Sequence, residues 1–70
     1  MTESHQSDAV KKYRHSTKAL TDNELLLALA FYREFRDLAA IGGSSYKIVY
    51  DDAVFHEGRL KEWAVSRGIL

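Results

Sequence analysis

Apolar positions recur at helical spacing over two long stretches of the chain, separated by Gly42-Gly43-Ser44-Ser45. In the first stretch Leu27, Ala28, Phe31, Tyr32, Phe35, Leu38 and Ala39 fall on one arc of roughly 140°, at about 100° per residue. Arg33, Glu34, Arg36 and Asp37 take the opposite side, but only in the second half. Leu25, Leu26 and Leu29 point away from the main arc. The first two turns are therefore apolar all round and need cover from a second direction, by the N-terminal segment or by another chain.

The start and stop of this helix are written locally. Thr21-Asp22-Asn23-Glu24 has the form of a capping box, with a Thr hydroxyl accepting from a free helix N–H while Glu24 reaches back to the cap. Leu20 and Leu25 flank it as a hydrophobic staple, and Asp22 and Glu24 suit the positive end of the helix dipole. The pattern runs to Ile41, and Gly42-Gly43 provides the left-handed conformation that ends helices.

The segment after Ser45 admits two readings. Tyr46, Ile48 and Tyr50 alternate with period two, as in a strand. However, a strand needs a partner, and Asp51-Asp52 lacks the glycine of a tight hairpin. Tyr46, Val49, Ala53, His56, Leu60, Trp63, Ala64 and Arg67 lie within about 100° of one another at helical spacing. That phase, sustained to the end, predicts a second long helix capped by Ser44 or Ser45 and closed at Gly68, with a break near Gly58. A four-residue connection makes the two helices antiparallel neighbours.

Residues 1–8 show no periodicity and are assigned to a disordered tail; residues 9–70 form one small helical domain. Within it, Val10, Tyr13, Thr17 and Leu20 suggest a short helix over 9–20. The expected fold is all-α: an αα-hairpin with a short or disordered N-terminal segment, completing a four-helix bundle as a homodimer. The alternative is an α+β fold with a short strand at 46–50.

Composition sharpens this picture. At 70 residues with 46% hydrophobic side chains, the chain has much to bury and little room to do so. The absence of cysteine removes disulfides and thiolate metal sites as staples and suits a reducing, cytoplasmic compartment. The polar, partly acidic start MTESHQSD is unlike a secretory leader, and no apolar run approaches the ~20 residues of a membrane span. The expectation is a small soluble protein that does not enter membranes. Formal charge is zero, yet Lys11, Lys12, Arg14 and Lys18 lie together without an acid between Ala9 and Leu20. A basic arm therefore precedes an acidic body.

Catalytic patterns are absent. His56-Glu57 opens like a zinc-protease motif, but residue 60 is Leu where the second His belongs. No serine sits in a nucleophile-elbow frame, and Gly42 to Ser45 lacks the lysine of a phosphate loop. The expectation is no enzyme, no cofactor and no metal. The abundance of large side chains points instead to protein–protein interaction, in a regulator or inhibitor that binds a larger protein through helical faces. Its candidate dimer or partner interface comprises Leu25, Leu26, Leu29, Phe31, Tyr32, Phe35 and Trp63, rimmed by Arg33 and Arg36. The alternative is a small dimeric DNA-binding transcriptional regulator, with Lys11, Lys12, Arg14 and Lys18, or the C-terminal helix, as contacts to nucleic acid.

LTDNEL at Leu20–Leu25, followed by Ala30-Phe31-Tyr32, is similar to a segment of the Hha/YmoA family of small helical modulators of nucleoid proteins. The resemblance covers six residues and an out-of-register patch. The capping box accounts for most of it, and no family function is carried over.

Overall fold

Thr21 sets the frame of the molecule. Its extended backbone frees the hydroxyl to accept from the Glu24 N–H at 3.1 Å, while the Glu24 carboxylate accepts from the Thr21 N–H at 2.8 Å. Helix α2 (Asp22–Ile41) follows from this capping box, and Leu20 and Leu25 on either side of it are both buried, as a hydrophobic staple requires. The computed structural model describes residues 2–15 and 20–70, with side chains from Asp8 onward within those ranges. Thr17 and Lys18 lie outside the described residues.

α2 closes at Gly42, and Gly43 turns the chain with φ +73°. A 3₁₀ turn over Gly43–Tyr46 then leads into helix α3 (Lys47–Ser66). No strand forms at 46–50, because Tyr46 ends the turn and residues 47–50 are the first turn of α3. Two expected details also differ. Neither Ser44 nor Ser45 caps α3; both sit inside the 3₁₀ turn, where the Lys47 N–H is already satisfied by the Ser44 carbonyl. Gly58 does not break the helix, since the packed residues beyond it, Leu60 and Ala64, hold the same face inward.

The C-terminus of α3 is a Schellman motif. Gly68 takes φ +76°, its N–H reaches the Val65 carbonyl, and the Ile69 N–H reaches that of Ala64, each at 3.0 Å. Ile69 folds back onto the core, the apolar contact that accompanies this cap.

α2 and α3 are antiparallel, as the order of their contacts shows. Arg67 bonds the Leu20 carbonyl and Asp22 at the start of α2, Glu57 meets Arg33 and Arg36 midway, and Val49 lies by Ala39 near the turn. Helix α1 (Thr2–His15) lies across the first half of α2. Its backbone is helical through residues that sequence pattern alone assigns to a tail, and Leu20 lies outside it. Ala9, Val10 and Tyr13 are buried in one cluster with Leu25, Ala28, Leu29, Tyr32, Ala53, Leu60 and Ala64. The second cover required by the first turns of α2 is thus supplied within the chain. The described residues are all-α, and among them no helix is long and apolar enough to cross a membrane.

Candidate functional site

The residues nominated from sequence as an interface separate into two groups. Leu25, Leu29 and Tyr32 are buried in the chain's own core; Phe31 and Trp63 are half-buried at its edge. Leu26 and Phe35 remain exposed at 37% and 38%. Arg33 and Arg36 converge on Glu57 of α3, at 3.2 Å and 3.6 Å, and brace the hairpin from the side; Arg36 also bonds Asp37 at 3.3 Å.

Past the reach of α1 the cleft between α2 and α3 stays open. Phe35, Leu38 and Ile41 from α2, Gly42 from the turn, and Tyr46 and Val49 from α3 line an apolar groove of about 510 Å³, with Ala39 at its floor. Leu38 is 70% exposed and Ile41 83%. Phe35 is held in place by Phe31, whose ring centroid is 5.7 Å away. Gly42 allows the Tyr46 ring to lie against the backbone, since a Cβ there would collide with it. Leu38, Ile41, Tyr46 and Val49 are absent from the interface nominated by sequence. A signal for them exists: the row Leu27, Phe31, Phe35, Leu38 continues along α2 beyond what a helix of 14 residues can cover.

A second cluster lies where α1, α2 and α3 meet. The Tyr13 hydroxyl is 2.6 Å from His56 Nδ1, and His56 Nε2 is 3.4 Å from Asp52. Tyr13 also packs edge-on against Tyr32 and near Trp63, over which the Arg59 guanidinium sits at 4.9 Å from the ring centroid. Burial raises the Tyr13 hydroxyl above the usual phenol range, against the opposing pull of Arg59. Tyr13, at the end of this Asp52–His56–Tyr13 chain, is only 3% exposed. The Tyr13–His56 hydrogen bond ties α1 to α3.

The basic arm is divided by its contacts. Lys12 pairs with Glu24 at 2.9 Å, and Glu24 is held below the usual carboxylate range by the Thr21 backbone N–H first and Lys12 second. Lys11, Arg14 and His15 are exposed. The Tyr32 hydroxyl beside Arg14 further favours the charged guanidinium. No protein-family model matches the chain, and comparisons with curated proteins and with solved structures also return no match.

Proposed function

We propose that this protein is a non-enzymatic interaction module, a small regulator or inhibitor that docks on a larger protein through the open end of its helical hairpin. The observation that carries this reading is the groove between Phe35 and Val49, where side chains as large as Leu38 and Ile41 stand in solvent outside the chain's own core. Exposed contiguous apolar surface of this kind marks sites of association. Tyr46, half exposed beside the groove, belongs to the residue types that concentrate binding energy. The groove, rather than the basic arm, is favoured because Lys12 is already engaged by Glu24.

The test compares the wild-type protein with a Leu38→Asp/Ile41→Asp variant, each immobilised and exposed to an extract of the native host. A partner retained by the wild type and lost by the folded variant supports the reading; identical capture by both overturns it. Sedimentation of the same pair separates the two kinds of partner, since a homodimer built on this face would lose half its mass in the variant. A titration of duplex DNA at low salt that shows no affinity removes the nucleic-acid alternative.

A further inference from the structure

The three helices meet at one titratable side chain. His56 of α3 has its Nδ1 2.6 Å from the Tyr13 hydroxyl of α1 and its Nε2 3.4 Å from Asp52, one turn earlier on α3. Its ring lies against that of Tyr32 of α2, with centroids 5.0 Å apart. The His56 side chain is 24% exposed, so protons reach it from solvent. Tyr13 is buried, and among the described residues His56 is the one partner within hydrogen-bond distance of its hydroxyl.

Few charges face the imidazole. From α1 comes Arg14, beside the Tyr32 hydroxyl of α2. From α3 come Asp52 and Arg59, and Arg59, seated over Trp63, also acts on the Tyr13 hydroxyl. Glu57, next in sequence, is turned to Arg33 and Arg36. Among the described residues Asp52 is thus the one acid at the ring.

The two contacts of His56 respond in opposite ways to a second ring proton. A carboxylate only accepts, so a bare Nε2 facing Asp52 would set two acceptors against each other. The neutral ring therefore keeps its proton on Nε2 and accepts from Tyr13 at Nδ1. In the charged ring both nitrogens donate, and Tyr13 can accept from Nδ1 only by turning its own proton away. Arg59, the other polar group acting on that hydroxyl, has no acceptor to offer, and a buried donor left unpaired is costly. The Asp52 contact gains instead, becoming an ion pair within α3 at i, i+4 spacing.

We propose that His56 is a pH-sensitive latch on α1: neutral, it holds α1 to the hairpin through Tyr13; charged, it exchanges that bond for the Asp52 pair and loosens α1. The stability that the bond gives to docking is present while the ring is neutral and is lost as pH falls and the ring takes up its proton. Loosening α1 uncovers the first half of α2, where Leu25 and Leu29 are buried. The Lys12–Glu24 pair holds over the same range, because Glu24 titrates below ordinary carboxylates. Neither the latch nor its test involves the open groove.

The test is amide hydrogen exchange of the full chain at about pH 7.5 and about pH 5.5, corrected for the intrinsic pH dependence of exchange. Protection of the Ala9 to Tyr13 amides is expected to fall by about threefold to tenfold on acidification, while that of the Leu29 and Leu60 amides holds. Tyr13→Phe should show the weaker α1 protection already at the higher pH, with no further fall. His56→Gln, which can still accept from Tyr13 but does not titrate, should keep α1 protected at both. His5→Gln/His15→Gln, which removes the other two imidazoles, should retain the wild-type response. A response that persists in Tyr13→Phe or His56→Gln, or vanishes in His5→Gln/His15→Gln, overturns the latch. So does an equal fall in all three helices, which would mean that α1 does not open on its own.

Discussion

Glu24 has three tasks at once: it closes the capping box, it complements the N-terminal dipole of α2, and it pairs with Lys12 of α1. Because these contacts favour the ionised carboxylate, its folded-state pKa lies below the unfolded value of about 4.3. The stability it contributes is therefore present above the ordinary carboxylate range and is lost as pH falls through the depressed value. Glu24→Gln keeps an acceptor for the Thr21 N–H and removes the charge. Thermal melts between about pH 7 and pH 2 should show a shallower acid loss in the variant than in the wild type; parallel curves would count against this account. Tyr13 behaves in the opposite sense. Its raised pKa means that its contribution holds below the ordinary phenol value of about 10 and disappears as pH rises through the folded value. Tyr13→Phe keeps the buried ring, leaves His56 Nδ1 without its partner, and should cost about 1 kcal/mol in urea unfolding at neutral pH. The two residues also differ in how far sequence reveals them. The capping box is legible because all its determinants lie within four positions, whereas the Tyr13–His56 bond joins residues 43 apart and leaves no local pattern.

At the scale of the element, α3 shows where local propensity loses to phase. The aromatic and β-branched start at 46–50 resembles a strand in isolation, and Gly58 resembles a stop. Neither survives the inward pull of Ala53, Leu60 and Ala64, which require one continuous helical face. The 3₁₀ turn at Gly43–Tyr46 is the detail least open to sequence, since it depends on where the end of α2 sets the chain down. Two glycine substitutions separate these effects. A Cβ at Gly58 meets no other atom, so Gly58→Ala should stabilise the protein by about 0.5–1 kcal/mol through helix propensity alone. Gly68 also has open space around it, but its φ of +76° would force an L-residue into the left-handed region, and Gly68→Ala should cost about 1 kcal/mol. Opposite shifts in thermal midpoint are expected from the same chemical change on one helix. Shifts of the same sign would refute the Schellman account of the α3 terminus.

For the molecule as a whole, the surplus of apolar residues divides unevenly between stability and surface. The first half of α2 is enclosed by α1 on one side and α3 on another, while its second half has α3 alone. The helix and its wide apolar arc were readable from spacing. How the cover is shared was not, because it depends on where α1 crosses and how far it reaches. The division makes a quantitative contrast between residues of identical type on one helix. Leu29 is fully enclosed, and truncating it removes apolar area and leaves a void, so Leu29→Ala should cost about 2–5 kcal/mol. Leu38 contacts solvent over most of its surface, and Leu38→Ala should change unfolding free energy by no more than about 0.5 kcal/mol. Urea titrations of both variants, with unchanged m-values, check the contrast. A cost at Leu38 comparable with that at Leu29 would mean that the open groove is filled in solution even without a foreign partner. The expected near-neutrality means that folding does not require so large an apolar side chain at this position. The surface from Phe35 to Tyr46 can then be varied to suit a ligand without unfolding the helices that present it.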